Sequence, residues 1–149
     1  MTQGKEPEIG LVIRHLYLWH DEARKGQEEG RKARPCVIVH TRRNEYGKTQ
    51  VFIAPITHTQ PRDPGRAKEI PQETKKRLGL DHEKSWIILD ELNFFTWMGP
   101  DLMPTPGGDF TYGDLPTRFT KVIVEQMRGL HREKQVRITN RDEKPKKKT

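Results

Sequence analysis

The sequence has few of the features on which metal, disulfide and membrane proteins depend. Its single cysteine, Cys36, excludes an intramolecular disulfide, and its six histidines include no HExxH pair. No Walker loop, GxGxxG or GxSxG pattern occurs. The apolar runs are much shorter than a membrane span, and residues 1–8 contain no apolar signal-peptide core. We therefore expect a cytoplasmic protein that uses no metal and no organic cofactor.

Apolar side chains are also scarce. Hydrophobic residues make up 32% of the 149 residues, and the mean hydropathy is −0.94, so the chain can bury only a modest core. A small barrel or a dimer suits that supply. Charge is plentiful, because 28 Lys and Arg against 21 Asp and Glu give a formal net charge of +7. Such a chain attracts polyanions, RNA or DNA, or an acidic protein partner.

Short apolar runs rich in β-branched and aromatic residues predict a mainly β fold. The expected strands cover residues 11–19, 35–40, 51–56, 68–70, 86–89, 94–98 and 135–139. The aromatic run at 94–98 fits a core, a dimer interface or a surface that stacks unpaired bases.

Two helices are predicted from their start and stop signals and from their periodicity. Pro71 at the beginning and Gly79 after the end predict a short helix over residues 71–78. Apolar residues spaced three and four apart between Leu115 and Leu130 predict a C-terminal amphipathic helix.

The remaining segments are predicted to be irregular. Residues 21–32 are highly charged and almost free of apolar side chains, which predicts a mobile loop. Residues 99–114 are rich in proline and glycine, which predicts an irregular insertion decorating the barrel. We expect a flexible N-terminus over 1–8, one domain over 9–140 and a disordered basic tail over 141–149.

A lone arginine precedes the second predicted strand, and a hydroxyl residue ends the third. Pro35 biases Arg34 toward an extended conformation, and the planar guanidinium suits phosphate oxygens. Thr57 and His58 end the third strand, so the three side chains can meet at one rim as a phosphate-handling or proton-transfer site. The same pattern is also compatible with a solvated strand-edge charge beside two ordinary turn residues.

Two polar segments carry most of the other basic candidates. The hairpin over residues 41–48 has an aromatic side chain among its basic ones, which can hold a phosphate backbone and stack a base. The proline-rich loop over residues 59–66 follows directly after His58. Solvated loop charges are the alternative interpretation. The RNA-binding candidates in these segments are Arg42, Arg43, Tyr46, Lys48, Arg62 and Arg66.

Several short segments, taken in order, resemble a known family. They are residues 8–13 (EIGLVI), 26–35 (GQEEGRKARP), 54–57 (APIT), 68–71 (KEIP), 78–81 (LGLD) and 85–91 (SWIILDE). Together they resemble the consecutive signatures of the MazF/PemK toxin family over about residues 9–95. Each motif is weak by itself, and the specificity of the resemblance comes from their order.

The resemblance implies a small SH3-like β-barrel of the MazF/CcdB type with a C-terminal helix, paired as a homodimer. It implies a growth-inhibiting toxin of a type II toxin–antitoxin pair that is bound by an acidic antitoxin and cleaves single-stranded mRNA sequence-selectively. In the family, the equivalent of the loop over 21–32 lies over the active site. That position adds Gln27, Glu28 and Arg31 as RNA-binding candidates.

The resemblance also implies a metal-independent reaction in which the ribose 2′-hydroxyl attacks the adjacent phosphate and leaves a 2′,3′-cyclic phosphate. Arg34 and Thr57 fall on the family's catalytic arginine and threonine. Arg34 would stabilise charge on the phosphate, and Thr57 would contact a phosphate oxygen or orient the 2′-hydroxyl. One branch of the family uses an aspartate near Glu91, which makes Glu91 a secondary catalytic candidate. We add His58 as a general acid or base.

Two functions without catalysis remain open from the sequence. The same barrel can bind a protein, as the related CcdB toxins bind gyrase, or bind RNA without cutting it. A basic structural or chromosomal protein is a further possibility, against which the compact order of the motifs argues.

Overall fold

The computed structural model describes residues 6–26 and 32–142, which form nine strands, three α-helices and one 3-10 turn at Pro64–Arg66. The strands are β1 (Leu11–Leu16), β2 (Ala33–Arg43), β3 (Thr49–Thr57), β4 (Ala67–Glu69), β5 (Trp86–Ile88), β6 (Glu91–Thr96), β7 (Leu102–Met103), β8 (Thr111–Asp114) and β9 (Arg137–Asn140). The helices are α1 (His20–Arg24), α2 (Gln72–Arg77) and α3 (Thr117–Arg132). None of these three helices has the length and hydropathy of a transmembrane span.

The strands form one predominantly antiparallel sheet around the pair β2–β3. The hydrogen-bonded order is β4-β5-β3-β2-β1-β7, and β6 pairs with β3 while β8 pairs with β1. Strand β9 joins β6 in parallel. The predicted mainly β fold with a C-terminal helix is confirmed, and the sheet is barrel-like without closing among the described residues.

The three central strands are buried on both faces. Along β3, Val51 and Ile53 pack into one core cluster, while the alternating Phe52 and Ala54 pack into another. Strands β1 and β2 alternate in the same way between the two clusters. This two-sided burial explains why the central strands read in the sequence as continuous apolar runs instead of an apolar–polar alternation.

Helix α3 covers one of these two clusters. Its buried face includes Ile123, Val124 and Met127, whereas Val122 is 43% exposed. The predicted amphipathic helix is confirmed; of the apolar residues in the predicted spacing, Ile123, Met127 and Leu130 are buried and Val122 is not. The short helix predicted over 71–78 is also present, as α2.

Two predictions of irregular structure, over residues 21–32 and 99–114, are wrong in part, and residues 27–31 of the first lie outside the described residues. The Pro- and Gly-rich segment 99–114 contains β7 and β8, which both pair with β1 and so extend the sheet. The charged segment after β1 begins with α1, in which acidic Asp21 and Glu22 lie in the first turn, where they suit the helix dipole. Both elements depend on pairing or capping contacts that leave no apolar periodicity in the sequence.

The boundary of the predicted tail also changes. The Arg141 backbone N–H donates to the Phe94 carbonyl at 2.7 Å, and an Arg141 guanidinium nitrogen lies 2.9 Å from the Asp101 carboxylate. The Asp142 carboxylate accepts from the Thr96 backbone and hydroxyl. Arg141 and Asp142, which we had placed in a disordered tail, are therefore held to the sheet; the rest of that tail lies outside the described residues.

A histidine is buried in the sheet, and its ring makes no hydrogen bond to the described residues. His15 is 1% exposed, stacks on Phe95 with ring centroids 4.6 Å apart, and finds no partner for either ring nitrogen among the described residues. Burial, with a smaller contribution from the Arg141 charge, lowers the pKa of His15 to about 3. The folded state therefore holds this ring neutral.

His15 makes the stability of the protein depend on pH. Between the unfolded pKa of about 6.5 and the folded pKa of about 3 the unfolded chain binds the extra proton, so stability is complete above about pH 6.5 and is lost as the pH falls. From pH 6.5 to pH 5 we expect this group to remove about 1.6 kcal/mol from the free energy of unfolding, because the loss approaches about 1.36 kcal/mol per pH unit only below the unfolded pKa. Urea denaturation at both pH values measures it. His15→Leu should lose this component, and His82→Gln, at an exposed position, should keep it; equal pH dependence in all three proteins would contradict the assignment.

Candidate active site

Arg34, Thr57 and His58 line one pocket at the end of the β2–β3 pair. The pocket has a volume of about 410 Å³. Its other walls come from Arg14 of β1, from the segment after α2 and from the segment around Tyr112. The three residues that we placed at one rim from the sequence therefore line the same pocket, and their catalytic roles stay a prediction.

Strand register brings Arg34 and Thr57 together. Cys36 of β2 lies opposite Pro55 of β3, and continuing that register by two residues brings Arg34 level with Thr57. The Arg34 guanidinium lies over the Trp19 ring, 5.1 Å from its centroid. Its buried Nε atom has no hydrogen-bond partner within residues 6–26 and 32–142. An aromatic ring thus orients this cation without using up its hydrogen-bond donors.

Glu91 takes part in placing that aromatic ring and lies outside the lining of the pocket. Its carboxylate accepts from the Tyr17 hydroxyl at 3.0 Å and from the His20 backbone N–H at 3.1 Å. Burial, outweighing these hydrogen bonds, raises the pKa of Glu91. The side-chain amide of Asn93 makes two hydrogen bonds to the Leu18 backbone: its oxygen accepts the N–H, and its NH₂ group donates to the carbonyl. The structure therefore does not bring Glu91 to Arg34 and Thr57; Glu91 fixes the turn that carries Trp19.

The Thr57 side chain keeps its proton available. Its hydroxyl oxygen accepts a hydrogen bond from the Thr59 backbone N–H at 3.1 Å. A hydroxyl that already accepts in this way is oriented and can still donate its own proton to a phosphate oxygen. Thr57 is half-buried and lines the pocket, and the turn at Thr59 holds its hydroxyl.

His58 is held by carboxylates that the sequence did not indicate. Its Nε2 lies 2.7 Å from Asp81 Oδ2, and its Nδ1 lies 3.5 Å from Glu83 Oε2. These three side chains place potential metal-ligand atoms within 4.8 Å of one another. The Asp81 carboxylate has a lowered pKa because the nearby Lys75 and His58 outweigh the effect of burial. In the structure it stands as an anion between those two groups.

A buried lysine anchors Asp81. Lys75 of α2 is 1% exposed, and its Nζ lies 2.8 Å from Asp81 Oδ1 and 2.7 Å from Ser85 Oγ. Nζ also donates to the Glu83 backbone carbonyl. The three donors of the ammonium group therefore each have an acceptor, which is the condition for burying such a charge.

The pocket is predominantly cationic. Arg14, Lys32 and Arg34 line it, and the one carboxylate among its described lining residues, that of Asp81, is already paired with Lys75. The Arg14 guanidinium lies by the Tyr112 hydroxyl, whose pKa is raised by burial against the opposing effect of that cation. Such a site suits an anionic oxygen. The sequence analysis did not identify Arg14. It is a lone arginine beside apolar strand residues, which is the pattern that identified Arg34.

The predicted RNA-binding hairpin lies far from this pocket. Arg43 is nine residues beyond Arg34 on the same strand, a separation of roughly 30 Å at about 3.3 Å per residue. At the tip, Tyr46 is 79% exposed and Lys48 is exposed. The Arg42 guanidinium instead lies over the Phe52 and Phe94 rings in a second pocket of about 560 Å³. The hairpin is therefore an accessible basic surface separate from the candidate site.

The loop after His58 contains two arginines in different situations. Arg62 is exposed. Arg66 is 3.1 Å from the Asp63 carboxylate and 3.5 Å from that of Asp90, so its charge is already paired, and its contact with RNA stays a prediction. The other predicted RNA-binding residues, Gln27, Glu28 and Arg31, lie outside the described residues.

Cys36 and two side chains of the aromatic run are buried, as the sequence predicted. Cys36 is fully buried, and burial raises the pKa of its thiol, so it is not a nucleophile. Phe94 and Phe95 of the aromatic run are 6% and 2% exposed and pack in the core clusters. Core packing is thus the correct interpretation of those two side chains.

Removing the Lys75 charge should destabilise the fold. Lys75→Met leaves the Asp81 carboxylate, the Ser85 hydroxyl and a carbonyl without their donor, and we expect a loss of about 2 kcal/mol in the free energy of unfolding. Urea denaturation followed by circular dichroism measures this loss. The adjacent Lys76 is exposed, so Lys76→Met is a matched control that should change stability by less than about 0.5 kcal/mol. Equal effects at both positions would refute the anchoring role of Lys75.

Comparison with known proteins agrees with the resemblance seen in the sequence. A profile of the PemK-like, MazF-like toxins of type II toxin–antitoxin systems matches residues 16–95. No curated protein matches the chain. The profile covers more than half of the 149 residues and includes Arg34, Thr57 and His58. The chain therefore belongs to the PemK-like, MazF-like family of toxins of type II toxin–antitoxin systems.

Proposed function

We propose that the protein is an endoribonuclease that cleaves single-stranded RNA at the pocket lined by Arg34, Thr57 and His58. The 2′-hydroxyl of the substrate attacks the adjacent phosphorus, and the bond to the 5′-oxygen breaks. The products are a 2′,3′-cyclic phosphate and a 5′-hydroxyl end. Because the substrate supplies its own nucleophile, the reaction requires no metal-bound water.

The meeting of Arg34 with Thr57 and His58 in one cationic pocket is the observation that carries this proposal. Arg34 lines the pocket, its guanidinium lies over the Trp19 ring, and it has no carboxylate partner among the described residues. A cation held in this way can bind two phosphate oxygens at once. A surface charge paired with a carboxylate would first have to give up that partner.

Each side chain has a distinct task in the proposed reaction. Arg34 stabilises the negative charge that accumulates on the phosphate oxygens as phosphorus becomes five-coordinate. The Thr57 hydroxyl donates to one of those oxygens, since its own oxygen is already occupied by the Thr59 N–H. His58 exchanges the proton of the reacting ribose or of the leaving oxygen.

The partners follow from the family and from charge. We propose that an acidic antitoxin binds this chain, since the formal net charge of +7 favours an acidic partner. We also propose a homodimer, because a chain with 32% hydrophobic residues gains from burying apolar surface between two copies.

Loss of the Arg34 guanidinium should abolish cleavage without unfolding the protein. We expect Arg34→Ala to reduce kcat/KM about a hundredfold or more, and Thr57→Val to reduce it about tenfold to a hundredfold. The assay incubates purified protein with a long single-stranded RNA in EDTA and maps the new ends. The matched control is Arg118→Ala at an exposed position of α3, which should cleave as the wild type does.

The chemistry of the new ends separates cleavage from binding alone. Discrete cuts bearing 2′,3′-cyclic phosphates, absent when the nucleotide 5′ to the cut is 2′-deoxy, support the proposed reaction. RNA that stays intact with wild-type protein but is retained by it would instead identify a noncatalytic binding module. Cleavage by Arg34→Ala at the wild-type rate would remove Arg34 from the mechanism.

The two arginines of the loop after His58 should differ in their contribution to RNA binding. In an Arg34→Ala background, which keeps the RNA intact, Arg62→Ala should weaken binding and lower the slope of log K against log salt by about 0.7. Arg66→Ala should leave the slope unchanged, because that charge already pairs with Asp63 and Asp90. Fluorescence anisotropy across a salt series measures both slopes, and a larger effect at Arg66 would be inconsistent with the observed pairing.

A further inference from the structure

The two carboxylates around His58 hold its ring unequally. The 2.7 Å separation of Nε2 from Asp81 Oδ2 is that of a strong hydrogen bond, whereas Nδ1 lies 3.5 Å from Glu83 Oε2, beyond the usual hydrogen-bond range. The Glu83 side chain is 72% exposed. A solvated carboxylate at that distance is easily displaced, so the ring is anchored at Nε2 and remains accessible at Nδ1.

Asp81 is itself fixed from the other side. Its Oδ1 lies 2.8 Å from the buried Lys75 ammonium and accepts the Glu83 backbone N–H at 3.1 Å. These two donors leave Oδ2 directed at His58 Nε2. The buried Lys75 ammonium and the Glu83 N–H therefore orient the Asp81 carboxylate, and that carboxylate orients the His58 ring.

We propose that Asp81 is a positioning residue that holds His58 in the tautomer with its proton on Nε2 and thereby presents the Nδ1 lone pair to the RNA. This inference rests on the proposed ribonuclease function. Nδ1 takes the proton of the 2′-hydroxyl while the 2′-oxygen forms its bond to phosphorus, and the departing 5′-oxygen takes a proton from water. The resulting imidazolium is stabilised by Asp81 and returns its proton to solvent.

The tautomer can be measured without any cleavage assay. Long-range ¹H–¹⁵N correlation spectra of the wild-type protein, at a pH where the ring is neutral, should identify His58 as the Nε2–H form, with assignment by the loss of its signals in His58→Gln. A neutral His58 with its proton on Nδ1, or a mixture of the two tautomers, would overturn the proposal.

A double-mutant cycle tests whether Asp81 acts through His58. We expect Asp81→Asn to lower kcat about tenfold to a hundredfold in the wild type and to have no further effect in His58→Gln. Glu83→Gln is the matched control, since it removes the other carboxylate near the ring and should retain the wild-type rate within about twofold. If Asp81→Asn is equally costly in both backgrounds, Asp81 does not act by positioning His58.

Two further comparisons distinguish a folding defect from a loss of positioning, and the failure of this proposal from the failure of the ribonuclease proposal. Because Asp81→Asn alone leaves Lys75 unpaired, Lys75→Met with Asp81→Asn removes both charges together and should fold while keeping the low kcat. All assays contain EDTA, so an ion bound by His58, Asp81 and Glu83 contributes nothing. Wild-type protein that cleaves no RNA would overturn both proposals, whereas active wild type with equal rates for Asp81→Asn and Glu83→Gln would overturn only this one.

Discussion

A buried ammonium group organises the part of the molecule on which the pocket depends. Lys75 is 1% exposed, and lysine is almost never buried without partners for its charge. Its acceptors all come from the segment 79–85. That segment has one apolar side chain, Leu80, so hydrophobic burial alone cannot order it. The electrostatic cost of leaving the ammonium unpaired selects the conformation of the segment instead.

The consequence reaches the strands that carry the site. Ser85, bonded to Lys75, immediately precedes β5, and β5 pairs with the end of β3 so that Thr57 lies opposite Trp86. The lysine cluster and the strand pairing therefore fix the same strand end from two sides. Thr57 and His58 follow that strand end, and their positions relative to Asp81 result from one set of contacts.

The sequence was sufficient for the parts of the fold that depend on local patterns. The periodicity of α3 and the proline and glycine bounding α2 each reflect properties of neighbouring residues. The convergence of Arg34 and Thr57 was also predictable, because two strands joined by a hairpin must bring their outer ends together. Contacts between distant segments were not predictable from the sequence. Strands β7 and β8 lie in a segment without apolar alternation and form because β1 offers them backbone hydrogen-bonding groups.

Contacts between distant segments also decide which basic side chains are paired with carboxylates and which are left to bind a ligand. Arg62 and Arg66 stand four residues apart in the same loop and look alike in the sequence, yet Asp90, 24 residues further on, engages only Arg66. Lys75 and Lys76 are adjacent, and only the first meets Asp81. A net charge of +7 therefore predicts that the chain attracts anions, but it does not show where an anion binds. Arg34 differs from these paired cations, because the Trp19 ring orients it and no carboxylate among the described residues engages it, which leaves its donors for a ligand.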